Sequence, residues 1–173
     1  YQINNHGNIA KSRNLGIQKS TGSYIALIDS DDFWEKDKLL YSFRHFEKNN
    51  INGFSHSENW LYQGKFTKIK HYGPEKNFSY SNLLKYGNCL SLSAVVIHKE
   101  ALMRIGGFSE EKQFITAEDY DLWLRLARNN YKISFSKKVL GTFRIHGKSE
   151  SDNIIKNVNA VSDVIESHYS KYR

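Results

Sequence analysis

Residues 25–32 read Ile25-Ala26-Leu27-Ile28-Asp29-Ser30-Asp31-Asp32, an apolar run that stops in a cluster of carboxylates. Four consecutive apolar residues, β-branched at both ends, predict a strand buried on both faces. Three carboxylates then fall at its C-terminal end, where ligands bind in open α/β sheets. Like charges this close repel one another unless a cation lies among them. Their oxygens suit hard divalent ions such as Mg²⁺ or Mn²⁺, which in turn hold phosphates. The competing reading is a solvated acidic turn that caps the next helix. A calcium-binding EF-hand loop is excluded: counting from Asp29 places Trp34 and Leu40 where that loop needs Gly and Glu.

The chain has 173 residues, 39% of them hydrophobic and 14% aromatic, enough to build one domain, residues 1–173, around a real core. Its one cysteine, Cys89, rules out an internal disulfide or a cysteine metal cluster and fits a reducing, cytoplasmic setting. No apolar stretch is long enough to span a bilayer. A net charge of +7 suits an anionic small ligand, an anionic membrane surface or nucleic acid. The basic residues are scattered, with no basic helix or Arg-rich run, so nucleic acid is not an expected partner.

Periodicity organises the rest. Residues 8–20 predict a helix closed by Thr21-Gly22, and Tyr24 to Ile28 the buried strand. Asp32 to Asn49 predicts an amphipathic helix with Leu39, Leu40, Phe43 and Phe46 on its apolar side. Gly53–Tyr62 and Lys65–His71 read as strands joined through Gln63-Gly64. A short helix near 81–86, an apolar strand from Leu92 to His98 and a short helix from Lys99 to Ile105 follow. Then come a helix over 117–129 with Leu122, Trp123 and Leu126 inward, and strands near 131–135 and 139–144. A final helix spans Asn153 to Tyr169, with Ile154, Val158, Val161 and Ile165 at helical spacing.

Five stretches carry a resemblance. Ala10-Lys11-Ser12-Arg13-Asn14-Leu15-Gly16-Ile17 fits A-x-x-R-N-x-G-I. Thr21 to Ile25 fits T-G-x-Y-I, and Asp29 to Leu39 fits D-S-D-D-x-W-x-x-x-K-L. Glu118 to Arg125 fits E-D-x-D-L-W-x-R, and Arg144-Ile145-His146-Gly147 fits R-x-H-G. Together they resemble the family 2 glycosyltransferases, from about residue 4 to about residue 150.

The resemblance implies a GT-A-like α/β fold, a mixed and mainly parallel sheet flanked by helices. It also implies an inverting enzyme that moves a sugar from a nucleotide-sugar, expected to be a UDP-sugar, to a saccharide or lipid-linked acceptor in surface polysaccharide synthesis. Asp29 and Asp31 take the place of a D-x-D pair, one carboxylate toward the ribose and the other toward a Mn²⁺ or Mg²⁺ ion on the diphosphate. Asp119 stands as the general base, with Glu118 beside it in the substrate site. The competing reading for both is a helix cap. Asp121 lies about 200° round the helix from Asp119 and is expected to be structural.

Strand alternation puts Arg144 and His146 on one face, Arg144 for the diphosphate and His146 as a metal ligand. Arg13 is the candidate nucleotide contact, and Trp34 the candidate for stacking on a sugar. Members of the family begin with a strand and a P-x-Y-N loop that this sequence does not display. The fold is therefore expected to be N-terminally truncated, with an open sheet edge that favours self-association. Peripheral contact with the inner face of a membrane fits a lipid-linked acceptor. The rival is a catalytically silent module that acts by binding.

Overall fold

The computed structural model describes residues 4–146 and 153–171. Helix α1 (Ile9–Lys19) opens at Asn8, whose side chain accepts a hydrogen bond from the Ala10 amide at 3.1 Å, an ordinary N-cap. Then follow β1 (Tyr24–Ala26), β2 (Phe33–Trp34), α2 (Lys38–Lys48), β3 (Gly53–Tyr62), β4 (Lys65–Lys70), α3 (Tyr80–Tyr86), β5 (Val95–His98) and α4 (Lys99–Arg104). Helix α5 (Glu118–Arg128), β6 (Ile133–Ile145) and α6 (Ile154–Lys171) complete the order. The sheet runs β1-β5-β3-β6-β2, with β4 added to β3 as a hairpin. It is mixed, as the sequence predicts. In the described residues its parallel share is the long β3–β6 pair, smaller than expected, and the other neighbours run antiparallel.

Side-chain alternation explains the layers. In β5, Val95 and Ile97 point into the main core with Trp123, Leu102 and Ile133, while Val96 points the other way, against Phe46, Phe54 and Leu140. This strand and the first half of β3, not residues 25–28, are buried on both faces. β1 is only three residues long and pairs with β5 alone among the described residues. Ile25 and Leu27 are buried, but Ile28 is 44% exposed, because the chain has already turned into the acidic loop. In the hairpin, Gln63 and Gly64 both take positive φ, +48° and +78°, the conformation a two-residue turn between twisted strands requires.

Two expectations are corrected. Helix α2 starts at Lys38, not Asp32, because Phe33 and Trp34 pair with Thr142 and Gly141 of β6. Its buried side carries Lys38, Ser42 and Phe46, while Leu39, Leu40 and Phe43 face outward. The two strands expected over 131–144 are one strand, β6, whose register shifts opposite Ser55–Glu58 take up the polar Ser136–Lys138 stretch. In α6, Ala160, Val164 and His168 form the buried stripe, and Ile154 and Val158 are exposed. Gly147, the end of the R-x-H-G stretch, lies outside the described residues.

Asn14 joins the two halves of the main core. Its Oδ1 accepts from the Phe108 amide at 2.8 Å, and its Nδ2 donates to the Phe108 carbonyl at 2.9 Å. The preceding Gly107 sits at φ +70°, and a Cβ there would lie 2.6 Å from Asn14 Oδ1. Only glycine lets the two segments approach this closely.

Candidate active site

A cavity of about 900 Å³ opens between the C-terminal end of β1, the start of α5 and the β3–β4 hairpin. Arg13, Asp29, Asp31, Glu118, Asp119 and His146 all line it, brought together from four separate stretches of chain. Trp34 and Arg144 do not.

Arg13 forms the centre of the acidic wall. One face of α1 delivers its guanidinium between two carboxylates: Nη2 donates to Asp29 Oδ1 at 2.8 Å, and Nη1 donates to Glu118 Oε1. The guanidinium also lies 5.2 Å from the centre of the Phe108 ring. Its planar fork ties the strand end to the helix start. Two of its five N–H donors are engaged by these carboxylates, and Arg13 also lines the cavity where a nucleotide contact is expected. Burial raises the Asp29 carboxyl above its usual range, and the Arg13 charge only partly offsets this.

The three loop carboxylates do not converge. Asp29 goes to Arg13. Asp32 is buried and turned inward, where its Oδ1 accepts from the Arg144 amide at 3.0 Å. Asp31 faces the cavity with its Oδ2 2.7 Å from His146 Nε2. Among the described residues no group of three or more His, Cys, Asp or Glu side chains gathers where it could hold one metal ion. The expected set of Asp29, Asp31 and His146 therefore reduces to Asp31 with His146. A carboxylate and an imidazole fit a divalent ion whose other positions go to phosphate and water.

Asp119 lies at the first turn of α5. Its Oδ1 accepts from the Tyr120 amide at 2.7 Å, and its Oδ2 accepts from Asn88 Nδ2 at 3.3 Å. Burial, reinforced by the neighbouring Glu118 charge, pushes its carboxyl up to about 6. Glu118 Oε2 accepts from the Thr116 amide at 2.9 Å, and no side chain caps the N-terminus of α5. Thr116 takes φ +88°, an unfavourable value for a β-branched residue, next to the site. Asp121 is structural, as expected, with Arg125 Nη2 at 2.7 Å and His168 Nε2 at 3.0 Å. Burial alone would raise its carboxyl, but those two partners hold it below the usual range.

Trp34 has a supporting place instead of a stacking one. Its Nε1 donates to the Ser93 carbonyl at 3.0 Å, and Lys38 Nζ sits 3.8 Å from the ring centre. The Arg144 guanidinium lies over the Phe33 ring at 5.2 Å, outside the cavity. β6 ends at Ile145, so strict alternation does not carry His146 onto the face of Arg144.

Sequence reasoning missed the layer beneath the loop. Lys38 is fully buried and donates to the Ser93 carbonyl at 2.6 Å, near the buried Glu58 and Asp32. Burial drops its ammonium to about 7. Tyr72 donates to Glu58 Oε2 at 2.7 Å. The one available signal was the four-residue step from Trp34 to Lys38, which stacks a cation on an indole in a helix-like turn. Asn88, which also lines the cavity, had no local signal.

The model of the glycosyltransferase-like family 2 matches residues 4–150. The chain belongs to this family. A β-1,3-glucosyltransferase of Escherichia coli, WfaP, named as acting on UDP-Glc and α-D-GlcNAc-diphosphoundecaprenol, is 29% identical over 158 residues, 91% of this chain and 60% of that protein. The amylovoran biosynthesis glycosyltransferase AmsB of Erwinia amylovora is 27% identical over 146 residues, 80% of this chain and 47% of its own. The chain thus spans roughly half of the curated relatives it matches. Among solved structures, Staphylococcus aureus TarS superposes with a TM-score of 0.66 at 17% identity, over 97% of this chain and 28% of that one. TarS 1–349 in complex with UDP-GlcNAc gives 0.64 at 16% identity, over 85% and 42%. These establish the GT-A-like fold expected for the family.

Proposed function

We propose that the chain carries the catalytic centre of an inverting glycosyltransferase. In this reading a UDP-sugar is the donor, and the acceptor is a saccharide carried on a lipid diphosphate. The observation that carries it is Asp119, a carboxylate raised to about 6 by burial, lining the same cavity as Asp29, Asp31 and His146. Such a group is a stronger base than an exposed aspartate and is still ionised at neutral pH. It takes the proton from an acceptor hydroxyl. That oxygen forms its bond to the anomeric carbon as the bond to the diphosphate oxygen breaks, and the electron pair leaves with the nucleoside diphosphate. One direct displacement inverts the configuration.

Asp31 and His146 are the residues that would hold Mn²⁺ or Mg²⁺, which when bound offsets the charge of the leaving diphosphate. Arg13 keeps Asp29 and Glu118 fixed around the reacting centre. The named UDP-sugar use of WfaP and the UDP-GlcNAc complex of TarS support the donor class, and the acceptor named for WfaP supports the lipid diphosphate. The test is Asp119→Asn in the full-length protein. Turnover should fall by about 10²–10⁴-fold, the usual worth of general-base catalysis, with UDP affinity unchanged. If UDP affinity falls and turnover does not, Asp119 belongs to the donor site. If wild-type protein binds no UDP with or without Mn²⁺, the silent-module reading replaces the enzyme.

A further inference from the structure

The cavity has a second wall of opposite charge. Paired residues across an antiparallel ladder share a face, so the register Glu58↔Lys70 and Trp60↔Lys68 puts Trp60, Lys68 and Lys70 on one face of the β3–β4 hairpin. Trp60 and Lys70 line the cavity. The Trp60 ring packs on Phe143 of β6, with centroids 5.1 Å apart and planes 32° from parallel. Its Nε1 donates to Tyr72 Oη at 3.3 Å, so the ring is fixed in orientation. Over it stand the Lys68 ammonium at 4.6 Å and the Lys70 ammonium at 5.8 Å from the ring centre. Neither lysine has a carboxylate partner among the described residues. The other hairpin face exposes Phe66 and Ile69, 60% and 46% accessible.

We infer that the Trp60–Lys68–Lys70 face of the hairpin is the subsite for the acceptor's diphosphate, which it holds at the hairpin side of the cavity while the acceptor hydroxyl reaches Asp119. This rests on the glycosyltransferase reading above and names the part of the acceptor that the hairpin recognises. The charge pattern motivates it. An anionic acceptor is repelled by Asp29, Asp31, Glu118 and Asp119 and attracted to two lysines that no protein carboxylate neutralises. The fixed indole offers a flat apolar surface of the kind that packs against a sugar ring or the first carbons of a lipid chain. Phe66 and Ile69 then lie on the side from which a lipid-borne acceptor would come.

The experiment measures binding directly, by calorimetry on the full-length protein with the donor site filled by saturating UDP. The probes are a water-soluble N-acetylglucosaminyl diphosphate with a short alkyl chain and the uncharged alkyl glycoside of the same sugar. Lys68→Ala/Lys70→Ala should weaken diphosphate binding by about 10- to 50-fold, the scale of one or two charge-assisted contacts, and leave the uncharged glycoside and UDP unaffected. Equal weakening of both probes, or none of either, overturns the subsite. So does loss of binding only to phosphatidylglycerol vesicles, which would make the lysines a membrane contact. The two readings fail separately: absent UDP binding by wild type sinks the enzyme, whereas unchanged diphosphate binding by the lysine variant sinks the subsite. Trp60→Phe, which keeps a ring but loses the Nε1 contact, should weaken both probes to a smaller extent.

Discussion

The two walls of the cavity handle charge in opposite ways. On the acidic wall nearly every charge is spent within the protein: Arg13 on Asp29 and Glu118, Asp31 on His146, Asp32 on a backbone amide. On the hairpin wall Lys68 and Lys70 stand over an indole with no carboxylate partner among the described residues. Groups already hydrogen-bonded to one another do not reorganise when charge moves, which is what a reacting centre needs. Unpaired exposed cations cost little in the free protein and gain most when an anion arrives. The acidic wall is therefore built for stability and placement, and the basic wall for capture.

Removing Arg13 should break that contrast most severely. Arg13→Met leaves Glu118 and Asp29 without their shared counter-ion, and Glu118 is 9% exposed at its side chain while Asp29 is 34% exposed. Losing one partner of a buried pair costs about 3–5 kcal/mol. Asp29 keeps part of its water, so a loss of about 3 kcal/mol in urea unfolding is expected. A loss below about 1 kcal/mol would mean that the triad adds nothing to the fold.

Next in size is a pH effect. Asp119 must be ionised to accept a proton, and burial and Glu118 raise its carboxyl to about 6. Turnover should be flat above that pH and fall tenfold per unit below it. Glu118→Gln removes the repulsive neighbour, so the acid limb should move to lower pH. For stability the sign is reversed: the folded form holds its proton more tightly than the unfolded chain. Between about pH 4 and 6 Asp119 therefore makes stability fall as pH rises, and Asp119→Asn should remove that slope.

The contrast also marks what sequence alone could carry. β3, the hairpin turn and α5 were legible because alternation, Gln63-Gly64 and helical spacing are local signals. So was the set that meets at the cavity, Arg13, Asp29, Asp31, Glu118, Asp119 and His146, since each stands in a distinctive motif. Illegible was which charge pairs with which. That Asp32 turns inward depends on β6 passing its Arg144 amide beside the loop, a contact 112 residues away in sequence. The loss of Trp34 and Arg144 from the site has the same source. Phe33 and Trp34 pair with β6, a long-range ladder that shows no local periodicity. The exposed Leu39, Leu40 and Phe43 misled in another way, since an apolar stripe says nothing about what covers it.

A smaller prediction follows for Trp34. Its indole Nε1 and Lys38 Nζ both donate to the Ser93 carbonyl, at 3.0 and 2.6 Å, so the ring fastens the loop to the residues before β5 from outside the cavity. Trp34→Phe should cost about 1 kcal/mol, one hydrogen bond partly covered by the lysine, and leave acceptor affinity unchanged. A loss of acceptor affinity without a loss of stability would restore Trp34 as a stacking residue.

The smallest effect is the sharpest test of the comparison. Lys70 is exposed and bonded to no carboxylate among the described residues, so in the folded state its charge meets only the Trp60 ring at 5.8 Å. Lys70→Ala should shift the urea midpoint by less than about 0.5 kcal/mol in either direction, the ordinary range for a surface site. Its ammonium lies 5.8 Å from the Trp60 ring centre, so loss of this exposed cation–π contact is the expected structural cost. Set beside Arg13→Met, this gives two cation removals in one cavity with stability costs several-fold apart. If Lys70→Ala proves as costly as Arg13→Met, its ammonium is a structural counter-charge, with Glu58 directly opposite in the ladder the obvious partner. The hairpin wall would then be as internally committed as the acidic one. If the cost is negligible, the charge is free to be used by whatever enters the cavity.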